Sequence, residues 1–232
     1  MARVSLVLPL APGTFLVPGA VEKLHGGLVD AGHTVEVFGV VDPRSPGFPL
    51  VPGSWWRAFQ ADEPGLASSA LAGLQQATGD VLVVLDHERG YTLDEIRRTI
   101  EPIERQETDL VIASRNLAAA GGEVRPPRLA AWAGLATRRF LGSSDLLSGL
   151  VALNPELIRS AALEPLGSNF TLELLARTGG RRQDLAVSRR RRAARRPIQL
   201  DDLRHLKRLG DHKFGNFSRL IQFCAVGASG MV

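Results

Sequence analysis

Cysteine is almost missing from this sequence: Cys224 is the only one, which excludes an internal disulfide framework and any zinc site built on cysteine. A reducing, cytoplasmic setting fits that usage. The amino end does not read as a secretory signal either. The opening stretch MARVSLVLPLAPG has one early arginine and a short alternating apolar run but no cleavage pattern, and it reads as a first strand. The apolar tail at residues 220–232 (LIQFCAVGASGMV) has thirteen residues, fewer than the about 20 that cross a bilayer. His25, His33, His205 and His212 stand without metal-ligand spacing, and no Ser/His/Asp arrangement is present. Gly26-Gly27 and Gly121-Gly122 lack the spacing of a phosphate-cradling loop. No repeat recurs at a fixed period.

What is present is enough apolar material for a large core: 44% of the 232 residues are hydrophobic, which argues against a disordered chain. Charge is divided unevenly. Residues 181–219 hold 13 Lys and Arg against 4 Asp and Glu, a net of +9, while the rest of the chain is net −5. Such a segment meets nucleic acid, an anionic membrane or only water. Aromatic residues that could stack on bases are absent from the run Arg181, Arg182, Arg189–Arg192, Arg195 and Arg196, so it lacks a single-strand nucleic-acid platform. An apolar tail follows it, and clustered Lys and Arg beside such a tail are drawn to an anionic leaflet by on the order of 1 kcal/mol each. The expected partner is an anionic membrane surface and not nucleic acid, with the chain held at the cytoplasmic face of the membrane.

Apolar runs and helical periodicities alternate. Residues 3–8 (RVSLVL) predict a strand ended by Pro9, residues 20–31 a helix stopped at Gly32, and residues 35–41 (VEVFGVV) a second strand ended by Asp42. A Pro/Gly-rich loop over 43–53 precedes a small-residue helix at 65–79, with Trp55 and Trp56 placed in the variable loop before it. A strand at 80–85, a helix at 92–105 and a strand at 109–113 follow. Strands alternating with helices give a mainly parallel central sheet flanked by helices. In open sheets of this kind ligands gather beyond the carboxyl ends of the strands. Pro9, Asp42, the cluster Asp86-His87-Glu88 and Ser114-Arg115 all follow apolar runs directly. Polar residues often end strands only because the chain returns to water. Acids and an arginine at successive strand ends also suit a phosphorylated ligand.

The stretch LASSALAGLQQATGDVLVVLDHERGYTLDEIRRTIEPIERQETDLVIASR, residues 66–115, resembles the core of the family 2 glycosyltransferases. The likeness is to the dolichyl- or polyprenyl-phosphate mannosyltransferase branch. SSDLLSGLVALNPELI is similar to the D-x-x-S-G-F segment of that branch, with Asp145, Ser148 and Gly149 in place, and SNFTLELLARTG to the helix after it. The resemblance implies a GT-A (Rossmann-like) nucleotide-sugar-binding domain over residues 1–187, a basic juxtamembrane segment over 188–219, and at 220–232 the start of a membrane helix or a surface-lying tail. The implied activity is inverting transfer of a hexose, mannose from GDP-mannose or glucose from UDP-glucose, to a polyprenyl-phosphate lipid acceptor.

Residue roles follow from the same resemblance. Asp86 and Glu88 would hold Mg²⁺ or Mn²⁺, which steadies a departing diphosphate. Pro9, Asp42 and His87 would line the nucleotide pocket. Arg115 and the Arg189–Arg192 run, with Arg190 and Arg192 within it, would grip phosphates through planar donor forks, and Asp145 would either face donor sugar or acceptor or hold a structural turn. The chain departs from the family pattern at four places. Pro9-Leu10-Ala11-Pro12 replaces P-x-Y-N-E, Asp42-Pro43-Arg44-Ser45 replaces D-D-G-S, Asp86-His87-Glu88 replaces D-x-D, and arginines replace G-x-S-K. A noncatalytic, membrane-associated binding or scaffold module on the same fold is the alternative these departures leave open.

Overall fold

The first strand, β1 (Arg3–Leu10), is buried at every residue but its first, as a strand covered on both faces must be. A computed structural model describes residues 1–114, 142–143, 145–146, 148–164 and 169–187. The strands that follow are β2 (Thr34–Val41), β3 (Trp56–Gln60), β4 (Val81–Leu85), β5 (Leu110–Ser114), β6 (Leu150–Leu153) and β7 (Arg182–Ala186). Helices are α1 (Pro18–Asp30), α2 (Leu66–Gln76), α3 (Leu93–Glu104), α4 (Pro155–Ser160) and α5 (Phe170–Arg177). The seven strands lie in the order β3-β2-β1-β4-β6-β5-β7. Every pairing is parallel except those of β6, which runs antiparallel to both β4 and β5.

Alternate residues of a strand point to opposite faces, and β1 divides the core accordingly. Leu6 and Leu8 pack with Val21 and Leu28 of α1 and Ile96 and Ile100 of α3. Val7 packs on the other face with Ala70 and Leu74 of α2 and Leu174 of α5. The small residues of α2 have a steric reason: a Cβ on Gly73 would lie 2.4 Å from a methyl of Val7 and 2.9 Å from one of Val40. A larger residue would lift the helix off the sheet. The α3 start is closed by a capping box, in which Glu95 N–H donates to the Thr92 hydroxyl and Thr92 N–H to the Glu95 carboxylate.

Three strands differ from the sequence expectation. Trp56, expected in a loop, opens edge strand β3 opposite Val37, while Trp55 stacks on His25 at a centroid distance of 4.0 Å. The short runs LVAL and RQDLA form β6 and β7. Pro9 also fails to end β1, which continues to Leu10. The Arg3 carbonyl accepts from Asp80 N–H, and the Leu10 carbonyl from Asp42 N–H. Odd-numbered residues of β1 therefore face β4 and even-numbered ones face β2. Pro9 faces β4 beyond the last pair of that ladder, Val7 with Val84, so its missing N–H removes no ladder bond. The small-residue helix stops at Gln76 rather than Gly79, because Thr78 and Gly79 turn away to donate to Glu36 and Ser5. Among the described residues no helix is long and apolar enough to cross a membrane.

Candidate functional site

The carboxyl ends of β1, β2, β4 and β5 lie along one edge of the sheet, since these four strands run the same way. Asp42 follows β2, Asp86 follows β4 and Ser114 ends β5, with Pro9 next to last in β1. The reversed strand β6 starts from that same edge, so Ser148 and Gly149, just before it, stand beside Asp86. Arg115, Arg190 and Arg192 lie outside the described residues.

Beyond Leu85 the chain tightens into a single 3-10 turn, His87–Arg89, ended by Gly90 in the left-handed region at φ 67°. Asp86 N–H donates to the Gly149 carbonyl at 2.6 Å, which continues the β4–β6 ladder one step past the strand. The turn folds Arg89 back, and its Nε lies 2.9 Å from Asp86 Oδ2. Glu88 is exposed and His87 half-buried on this turn.

The Ser148-Gly149 pair ties four elements together. The Ser148 hydroxyl donates to the Ala113 carbonyl of β5 at 2.8 Å, and the Ser148 carbonyl accepts from the Thr171 hydroxyl of α5 at 2.8 Å. Gly149 N–H donates to the Tyr91 hydroxyl at 3.1 Å. A Cβ on Gly149 would sit 2.4 Å from Arg89 Cδ and 2.9 Å from Asp86 Cβ. Glycine is therefore required for the Asp86 turn to pack against the start of β6. Tyr91 and Thr171 were not singled out from the sequence. Asp145, 3% exposed, belongs to the turn before Ser148: its N–H donates to the Ser143 hydroxyl, and its carbonyl accepts from Ser148 N–H.

Asp42 is 1% exposed and has a different set of partners. Arg44 donates to it from its backbone N–H, Nε and a terminal nitrogen at 2.9, 2.8 and 2.7 Å, and Gly65 N–H, at the start of α2, at 2.8 Å. The Arg44 guanidinium hydrogen bonds, with those backbone donors, hold the Asp42 carboxyl well below the usual carboxylate range, at about 2. Asp42 thus fixes the long 43–65 connection to the end of β2.

Hard carboxylate oxygens at a strand end suit Mg²⁺ or Mn²⁺, which take one or two carboxylates and complete their shell from substrate phosphates. Asp86 and Glu88 offer that number. Among the described residues no group of three or more His, Cys, Asp and Glu is placed to hold a metal ion. A cavity of about 220 Å³ opens at the opposite edge, lined by Gly32, His33, Arg97 and Glu101 among others. It contains none of these strand-end groups.

Residues 57–150 match the family model described as glycosyl transferase family 2. A dolichol-phosphate mannosyltransferase from Pyrococcus furiosus is 28% identical over an alignment of 186 residues that covers 73% of this chain and 51% of that protein. The chain spans about half the length of this curated relative. Among solved structures, mannosyl-3-phosphoglycerate synthase from Rubrobacter xylanophilus superposes with a TM-score of 0.65 at 16% identity, covering 92% of this chain and 75% of that one. Glucosyl-3-phosphoglycerate synthase from Mycobacterium tuberculosis, in complex with Mn²⁺, uridine diphosphate and phosphoglyceric acid, does so with a TM-score of 0.59 at 17% identity, covering 96% and 78%. At such identities the likeness is one of fold: an α/β, GT-A-like domain with a mainly parallel seven-stranded sheet.

Proposed function

We propose, from the match of residues 57–150 to the glycosyl transferase family 2 model, that this chain transfers a hexose from a nucleotide-sugar donor to a phosphate-bearing acceptor. The donor is GDP-mannose or UDP-glucose, and the acceptor a polyprenyl phosphate presented at the cytoplasmic face of a membrane. The observation that carries the reading is the strand-end acid Asp86, which lies inside the family region and is clamped against Gly149 at the ligand-binding edge of the sheet. The mannosyltransferase relative supports the lipid acceptor. The phosphoglycerate synthases support a second acceptor, a small phosphorylated hydroxy acid.

In the transfer an acceptor oxygen forms a bond to the anomeric carbon while the bond from that carbon to the diphosphate breaks. The electron pair leaves with the nucleoside diphosphate, and the sugar centre inverts. An acceptor phosphate is already ionised near neutral pH, so its oxygen needs no general base. Asp86 and Glu88 are the residues that would hold Mg²⁺ or Mn²⁺, and the ion when bound neutralises charge on the departing diphosphate. Asp42 keeps the 43–65 connection folded at the base of the nucleotide pocket, which Pro9 and His87 line. Asp145 shapes, from a buried position, the turn beside Gly149, next to where the sugar or acceptor would lie. Arg115, Arg190 and Arg192 enter on chemistry alone, as guanidinium forks for phosphate oxygens.

The test supplies labelled GDP-mannose and UDP-glucose to the full chain with membranes containing polyprenyl phosphate, and separately with 3-phosphoglycerate. Glycolipid that disappears with Asp86→Ala is the expected result. Product on phosphoglycerate alone selects the second acceptor. Nucleotide binding without turnover on either acceptor leaves a noncatalytic membrane-associated binding module and rejects the transferase.

A further inference from the structure

We propose that Arg89 is a built-in counter-cation for the strand-end acid. It occupies Asp86 from within the chain, competes there with a divalent ion, and turns its remaining donors to the diphosphate of the nucleotide, so that nucleoside diphosphates bind with little need of metal. The proposal rests on the nucleotide-sugar reading of the site and specifies how that site handles charge.

Three observations carry it. The Asp86–Arg89 pair is not a loose surface contact: the two side chains are only 20% and 24% exposed, and the separation is 2.9 Å. The arginine also has a seat. The space a Cβ would fill at Gly149 is taken by Arg89, with Cδ 2.4 Å and Nε 2.7 Å from that position. Gly149 is itself fixed by Asp86 N–H and the Tyr91 hydroxyl. Finally, the other strand-end acid is treated alike, since Asp42 holds Arg44 two residues on. Asp42 and Asp86 are therefore each paired with an arginine of its own turn.

The chemistry follows from the geometry. The hydrogen bond to Asp86 uses Nε, and a guanidinium bonded through Nε keeps two terminal amino groups, which suit paired phosphate oxygens. An incoming Mg²⁺ or Mn²⁺ must share or displace that contact to reach the Asp86 oxygen. Glu88, exposed on the same turn, would then be the more accessible metal ligand.

The experiment titrates GDP and UDP into the full chain by calorimetry, first in EDTA and then in Mn²⁺, for wild type, Arg89→Met and Arg89→Lys. Methionine keeps an apolar stem in the Gly149 notch, and lysine keeps charge without the fork. Wild type is expected to bind one diphosphate in EDTA, with Mn²⁺ tightening Kd by less than about 3-fold, whereas Arg89→Met loses about 10-fold or more in EDTA and regains it in Mn²⁺. Arg89→Lys falls between them. Manganese alone, followed by electron paramagnetic resonance, should bind Arg89→Met more tightly than wild type. Wild-type binding that needs Mn²⁺, with both variants indistinguishable from wild type in both buffers, overturns the role of Arg89 and leaves the nucleotide-sugar reading standing. Absence of nucleotide binding by every protein in both buffers overturns both.

Discussion

Replacing Asp42 by Asn keeps the shape of the side chain and removes its charge. In the folded protein this carboxyl is depressed from 3.8 to about 2 by Arg44 and the N–H of Gly65. A drop of nearly two units at about 1.4 kcal/mol per unit gives at most about 2.5 kcal/mol of stabilisation. Arg44 is 62% exposed, so solvent screening lowers the figure to about 1.5–2 kcal/mol. A folded-state pKa below the unfolded one gives stability that is complete above the unfolded pKa and is lost as pH falls through the folded value. The excess stability of wild type over Asp42→Asn should be full at about pH 7, reduced to roughly half by about pH 3, and closed below about pH 2. Urea unfolding followed by tryptophan fluorescence, at a series of pH values, measures this directly. A difference under about 0.5 kcal/mol at neutral pH, or one that stays flat down to about pH 3, refutes the account of Asp42 as a charged clasp.

Gly149→Ala places a methyl 2.4 Å from Arg89 Cδ and 2.9 Å from Asp86 Cβ. It should cost about 1–3 kcal/mol, seen as a lower melting temperature, and a variant that melts like wild type shows that the turn yields freely. Deleting residues 217–232 should lower sedimentation of the protein with anionic liposomes, an effect that salt weakens further. Unchanged partitioning rejects a membrane role for the tail.

The elements legible in the sequence are those whose apolar runs are long or whose helical spacing is interrupted by glycine. RVSLVL, VEVFGVV, VLVVL and DLVIA became β1, β2, β4 and β5, and the amphipathic α3 fell within the expected 92–105. Strand β6 was hidden because four apolar residues do not distinguish a strand from a buried turn. Strand β7 was hidden because its charged residues lie on a sheet edge, beside β5 alone. Strand-end positions for Asp42 and Asp86 follow from βα alternation. Their arginines do not, because contact between Asp86 and Arg89 depends on a single tight turn and on the absence of a side chain at Gly149, which neighbours Asp86 in the sheet but lies far along the chain.

The reversed strand has a consequence for how the chain reaches working form. β6 lies between β4 and β5, although β5 comes earlier in the chain. Docking of the first four strands can proceed from near neighbours, yet the floor beneath Asp86 waits for β6, a segment later in the chain that joins β4 to β5. Such distant closure is slow relative to local pairing. On the proposed reading of the site, nucleotide binding should therefore be among the last properties to emerge on refolding, and a cut ahead of Leu150 should abolish it while leaving the helices of the first half of the sheet detectable.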